Sequence, residues 1–308
     1  MNILVGYTGF VGSNLVKTGR FDRLYNSQNI KEAFGTKPDL LVYCGVKAEK
    51  FLANKDPKGD YLHIYDAYTN ICNIEPKKIV LISTVDVYKV PVNVDESSEI
   101  ITDGLHAYGL NRYMLEQLVR KSGIKTHIIR LPALYGVNIK KNFIYDLLNV
   151  IPNILFEQKL FELSQKDSIF MDYYYKSENG YYKCKQLNHE EHCLLKQHFE
   201  NVGFSALNFT DSRGSFQFYN LSYLWDHMQI ILEHDIDLIN IVTEPVTAEE
   251  VYKSVRKSQF INILDKPVPA YDVRSKYVTL FTNNSSYIFN KDFILRDINN
   301  FVSKMNTR

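Results

Sequence analysis

Three glycines spaced three apart, Gly6, Gly9 and Gly12 in Gly6-Tyr7-Thr8-Gly9-Phe10-Val11-Gly12, are the first residues of the chain with chemical meaning. Between a strand and a helix, such a triplet makes a dinucleotide site. The first glycine permits a tight turn off the strand. The second lets backbone N–H groups approach a pyrophosphate, and the third lets the helix pack closely on the sheet. The helix N-terminus then offers orphan N–H groups and a positive dipole end to the anion. A second group comprises Ser83-Thr84-Val85-Asp86-Val87-Tyr88 and Tyr108-Gly109-Leu110-Asn111-Arg112. Tyr108 and Arg112 are four apart, so on a helix they share a face. A cation beside a phenol favours the phenolate and lowers its pKa. With the Thr84 hydroxyl sharing the substrate oxygen, the pair reads as an acid/base for proton exchange with a carbonyl or alcohol, coupled to hydride transfer.

The elements that must hold these residues follow from the apolar pattern. Asn2 to Val5 reads as a buried strand that enters the glycine turn, and Ser13 to Val16 as the opening of a helix. Asp22–Asn26, Asp39–Cys44, Lys78–Ser83 and Thr126–Leu131 read as four more strands, the second of them nearly all apolar as a buried parallel strand should be. Helices are expected over Tyr61–Ile74 and Leu105–Lys121. This alternation predicts a Rossmann-like, doubly wound parallel sheet, and so an α/β protein. Regularity breaks from about Val137 to Leu232. Ile236–Val242 reads as one more apolar strand that returns to the main sheet. Thr247 with Glu250 forms a capping box, and Asn290–Lys304 a final amphipathic helix. The expected division is 1–136 plus about 233–246 for the sheet domain, and about 137–232 plus 247–308 for a smaller, interleaved α/β lobe.

A chain of 308 residues exceeds one small core, which fits two lobes. With 45% apolar and 23% charged residues the composition is that of an ordinary globular protein. The net charge of +1 provides no field for nucleic acid or a membrane surface. Four cysteines without framework spacing imply no disulfide scaffold. Met1 leads straight into the first strand and no apolar run approaches the roughly 18 residues of a membrane span, so a cytoplasmic protein is expected.

Up to about residue 136 the chain resembles the extended short-chain dehydrogenase/reductase family, of the nucleotide-sugar epimerase/dehydratase type. The resemblance is carried by Gly6/Gly9/Gly12, Ser83-Thr84 ahead of Tyr88, Tyr108-Gly109 with a basic residue at 112, and Arg130 to Gly136. It returns more weakly at Gln217–Trp225 and Ile236–Tyr252. It implies NAD or NADP in the first lobe and a nucleotide sugar in the second. The catalytic set it implies is Thr84, Tyr108 and Arg112, with Asp86 as a further acid/base. It places the cofactor against Gly6, Thr8, Gly9, Phe10, Val11 and Gly12, against Asn26 and Ser27 after the second strand, and against Cys44, Gly45, Ser83 and Leu131. Tyr88, Asn142 and Arg213 are the implied substrate contacts. A homodimer through the helix carrying Tyr108 is a further implication.

Several positions depart from the family pattern. The family lysine, which lowers the tyrosine pKa and hydrogen-bonds the nicotinamide ribose, is Arg112 here, a planar cation that is never deprotonated; the resemblance thus places Tyr108 and Arg112 against the cofactor as well. The acid slots after the threonine hold Val85 and Asp86, which disfavours a 4,6-dehydratase. Ala133 stands where an asparagine often faces substrate, and Ser222-Tyr223 stand where an acidic pair is common. The slot at Asn26-Ser27 has neither an acid to select NAD nor an arginine to select NADP. The chemistry expected is an epimerase or a 4-keto reductase, or else a weakened dinucleotide-binding sensor or scaffold, or a reductase of a non-sugar carbonyl. Cys184, His189, His192 and Cys193 include two ligand types, but helical spacing turns His192 and Cys193 apart, so no metal is expected there. Arg112 has an alternative use as an ion-pair partner of Glu116, four residues on.

Overall fold

The structure is a computed structural model and describes residues 1–177, 180–282 and 286–306. The chain divides into two compact units. The first comprises Met1–Ile139, Ser215–Val246 and Pro269–Asp297. The second comprises Lys140–Gly214, Thr247–Val268 and Ile298–Arg308.

The first unit is built on a six-stranded sheet. Its strands are β1 (Asn2–Val5), β2 (Arg23–Tyr25), β3 (Leu40–Tyr43), β4 (Lys78–Thr84), β6 (Lys125–Leu131) and Leu238–Asn240, with β5 (Val92–Val94) lying outside it. The order is Leu238–Asn240, β6, β4, β3, β1, β2, and every pairing is parallel. This is a Rossmann-like α/β sheet, as the alternation predicts. Because side chains alternate across a strand, each strand feeds two cores. Leu4, Val42, Val80 and Ile129 meet Leu15 of helix α1 (Phe10–Thr18) and Met228 and Ile231 of the helix Leu224–Glu233. Ile3, Leu41, Ile79 and Ile128 meet Ile64 and Ile71 of α3 (Pro57–Ile74) and Leu115 and Val119 of α4 (Ala107–Lys121). Helices on both faces explain why the strands read as unbroken apolar runs.

One helix start differs from expectation, and one short helix is added. The third helix begins at Pro57, ahead of Tyr61, because Asp56 caps it by accepting from Gly59 N and Pro57 fits the first turn. A short helix, α2 (Lys50–Lys55), precedes it.

The expected lobe boundary is corrected in two places. Residues 215–232 belong to the first unit, because Phe218–Asn220 pairs with Ala133–Tyr135 and the next helix fills the sheet core. Residues 269–297 also belong there, because Asp272–Val273 pairs with β5.

The second unit has a three-stranded antiparallel sheet, Ile154–Leu155, Tyr182–Cys184 and Tyr174–Lys176, in that spatial order. Its core joins Leu155, Leu160, Leu163 and Phe170 to Leu195 and Phe199 of the helix His189–Asn201. Asn188 and Glu191 close a capping box on that helix, and Thr247 and Glu250 do the same for Ala248–Arg256. Among the described residues no helix is long and apolar enough to cross a membrane.

Candidate active site

The glycine turn leaves β1 with Gly6 at φ +92°, a left-handed conformation that favours glycine. A Cβ on Gly6 would lie 2.7 Å from the backbone of Cys44 and Gly45, and one on Gly12 would lie 2.1 Å from Gly6 O. Those two glycines are therefore required by close packing inside the protein. Gly9 differs: a Cβ there meets only Gly6 O, at 3.2 Å, and Thr8 and Gly9 are exposed. Gly9 is the N-cap of α1, with no side-chain cap and no acid in the first turn. The orphan N–H groups of that turn are left for an anion. These features fit a dinucleotide pyrophosphate. Phe10 and Val11 are partly buried and pack against the sheet core.

After β2, Asn26 is turned back on its own loop. Its Oδ1 accepts from Gln28 N at 2.9 Å, and its N–H donates to Asn29 Oδ1 at 2.8 Å. Ser27 is exposed. Cys44 donates its thiol to Val5 O at 3.1 Å, and burial pushes that thiol up to about 12. Leu131 is buried in the sheet core.

The strand β4 delivers Thr84 and the loop Val85–Val87, and α4 delivers Tyr108 and Arg112. Gly109 allows α4 to touch that loop, since a Cβ there would sit 2.1 Å from Asp86 O. His106 caps the helix, accepting from Gly109 N at 3.0 Å, and Asn54 Oδ1 accepts from Tyr108 N at 2.9 Å. Thr84 lies beside the Tyr108 phenol, near enough to pull its pKa down. Thr84 Oγ1 also accepts from Asp86 N at 3.1 Å.

Arg112 corrects two expectations. Its guanidinium stacks on the Tyr108 ring, pairs with buried Asp60 and donates to the carbonyl of Lys47. Its ionic partner is thus Asp60 and not Glu116. Nor does it win the contest over the phenol. Burial pushes Tyr108 up to about 12, outweighing the downward pull of Arg112 and of Thr84. Glu116 instead takes Arg130 in a two-pronged pair, Nε to Oε1 at 3.0 Å and Nη2 to Oε2 at 2.6 Å. Ser83 Oγ donates to the same carboxylate, so Ser83 is held inside this network.

Tyr88 is also corrected. It is buried, and its hydroxyl donates to Asp95 O at 2.7 Å and accepts from Arg130 Nη1 at 2.9 Å, which leaves it a framework residue. Asn142 and Arg213 lie in the second unit. Asn142 is the N-cap of Phe143–Asn149, accepting from Ile144 N at 3.0 Å. Arg213 is locked on Asp211 by bonds of 2.9 and 2.8 Å. Among the described residues, the set around Cys184 gathers no three metal-ligand atoms; His192 bonds Asn149 Oδ1 at 2.8 Å instead.

The structure adds residues that local pattern does not reveal. Asp86 accepts from Lys50 Nζ at 2.8 Å and from the Tyr271 hydroxyl at 2.9 Å, and Lys50 lies 3.3 Å from that hydroxyl. Tyr271 arrives because Asp272 N donates to Pro91 O at 2.7 Å, beside β5. A hydroxyl pair, a carboxylate and a half-exposed ammonium thus lie together at the carboxyl end of β4, where ligands of such sheets bind.

No protein-family model and no curated protein sequence matches this chain. Solved structures do match its fold. Over 98% of both chains it is similar to dTDP-4-dehydrorhamnose reductase from Bacillus anthracis in complex with NADP, at 13% identity and a TM-score of 0.61. It is similar to UDP-N-acetylglucosamine 4-epimerase from Methanobrevibacter ruminantium, at 12% identity and a TM-score of 0.62, covering 98% of this chain and 96% of that one. A third is an NAD-dependent NDP-hexosamine 5,6-dehydratase of tunicamycin biosynthesis, at 12% identity and a TM-score of 0.63, covering 100% of this chain and 98% of that one. At such identities the likeness is one of fold.

Proposed function

We propose that this chain is an NAD(P)-dependent enzyme of nucleotide-sugar chemistry, a 4-keto reductase or an epimerase, with Tyr108 as its proton-transfer group. The observation that carries the reading is the placement of the Thr84 hydroxyl beside the Tyr108 phenol, in the same unit as an uncapped glycine-turn helix. The bound nicotinamide would supply or accept the hydride. Tyr108, held as a neutral phenol, would give its proton to the carbonyl oxygen, with Thr84 orienting that oxygen. A phenol held protonated favours the reductive direction. Asp86, anchored by Lys50 and Tyr271, would fix the loop that carries Thr84. The reductase and epimerases of the same fold support the substrate class.

One observation favours a second reading. Arg112 is fully engaged by Asp60, Lys47 O and the Tyr108 ring, which leaves it poorly placed to hold a nicotinamide ribose. On that ground the chain would be a dinucleotide-binding sensor or scaffold. A homodimer through α4 belongs to the same proposal, and the outward Leu62, Tyr65 and Met114 of α3 and α4 support it.

The test is a titration of NADH and NADPH by fluorescence and thermal shift, followed by turnover with UDP-, GDP- and TDP-linked 4-keto sugars. Turnover lost in Tyr108→Phe with cofactor binding kept supports the enzyme. Cofactor binding without turnover on any sugar favours the sensor, and no cofactor binding overturns both.

A further inference from the structure

At the opposite end of the sheet from Thr84, where β6 and Leu238–Asn240 begin, one histidine is oddly placed. His127 is completely buried. Its Nδ1 lies 2.7 Å from Ile236 O, a contact that requires the proton on Nδ1. Its Nε2 is therefore a bare lone pair, and among the described residues it has no hydrogen-bond partner. A buried polar atom left unsatisfied is costly and calls for a specific explanation. This one faces Asp235, whose Oδ1 is 3.7 Å away. Asp237 stands beside it, and one ligand atom from each of the three residues lies within 4.8 Å of the others.

We propose that His127, Asp235 and Asp237 form a divalent transition-metal site, in which the ion replaces the ammonium of Lys125. Two features point to a metal. The imidazole donates its other nitrogen to a backbone carbonyl, the arrangement that orients metal-binding histidines. The donor set of one imidazole nitrogen and two carboxylates suits zinc, cobalt or nickel better than calcium or magnesium.

The carboxylates already attract a cation. Lys125 Nζ lies 2.9 Å from Asp235 and 2.9 Å from Asp237. Its side chain is 41% exposed, so the ammonium can swing into water when an ion arrives. Asp235 and Asp237 are 63% and 70% exposed and free to close on the ion, while the histidine is fixed. Lys78 acts on both His127 and Asp235 as a second positive charge, opposing the ion. The site would tie the 235–237 turn to β6, remote from the Tyr108 chemistry and independent of the function proposed above.

The full-length protein, stripped with chelator, is titrated with zinc and followed by thermal unfolding, then with cobalt(II) followed by absorbance. The expected result is a saturable rise in Tm and a cobalt spectrum without thiolate charge transfer. The exposed double variant Asp235→Asn/Asp237→Asn should bind at least about tenfold more weakly. Lys125→Gln should bind about tenfold more tightly, because a competing charge is gone. A structural role for Lys125 would not produce that gain. His127→Gln should also lose binding; if it does not fold, the double variant carries the test. No zinc effect, or an effect unchanged in the double variant, overturns the site. Binding that is not strengthened in Lys125→Gln overturns the exchange with the ammonium.

Discussion

The guanidinium carbon of Arg112 lies 4.0 Å from the ring centroid of Tyr108, while the same group pairs with Asp60. The arginine is thus spent on packing and charge neutralisation as much as on the phenol. Arg112→Ala leaves a buried Asp60 carboxylate uncompensated and should cost about 3–5 kcal/mol. Urea unfolding measures the loss, and the double variant Arg112→Ala/Asp60→Ala should cost less than the sum of the single ones. Arg112→Lys keeps the charge but gives up the stack and the planar fork. A gain in turnover there would mark a site running below its capacity, and unchanged activity with binding intact would remove Arg112 from catalysis.

Tyr108 sets a pH dependence. Burial raises its folded pKa from 10.0 to about 12, so the neutral phenol is favoured by folding. The stability this contributes is complete below pH 10 and is lost as pH rises towards about 12. The stability difference between wild type and Tyr108→Phe should therefore change only in that window. Reductive turnover should show no Tyr108 titration between about pH 6 and 9, where the phenol stays protonated.

Gly9 and Gly12 should separate binding from folding. Gly12→Ala drives a Cβ to 2.1 Å from Gly6 O and should destabilise the protein with or without ligand. Gly9→Ala meets Gly6 O at 3.2 Å, which a small shift relieves. It should keep its Tm in the absence of ligand but show a reduced thermal shift with NADPH. Equal behaviour of the two variants would remove the distinction.

Asp146 carries a second pH signature, in the other unit. Burial raises its carboxyl from 3.8 to about 7. The stability tied to its protonated form is full below pH 3.8 and is lost as pH rises through about 7. Asp146→Asn should thus be more stable than wild type at pH 8, by about 1 kcal/mol or more, and show little difference at pH 4. Chemical denaturation at the two values decides it.

The sheet was readable because its strands are covered on both faces, as Ile3 and Leu4 show by entering opposite cores. That Thr84 and Tyr108 come side by side was readable because short local motifs hold them. The Asp56-Pro57 start of α3 carried a capping signal that the apolar pattern alone overlooked. The second unit was not readable because its strands have only two or three residues and give no measurable alternation. Asp60, Lys50 and Tyr271 were hidden for another reason. Their partners are 52, 36 and 185 residues away in the chain, and nothing local to them encodes the meeting.

The pairing that brings Tyr271 to Asp86 has a kinetic meaning. Closing a contact across 185 residues demands far more loop entropy than forming the glycine turn or α4. The glycine turn can therefore assemble from the first few dozen residues emerging during synthesis, whereas the carboxylate beside Thr84 acquires its tyrosine only after the chain has been made past Val273. The proposed catalytic cluster is completed last, long after the glycine turn that stands first in the chain.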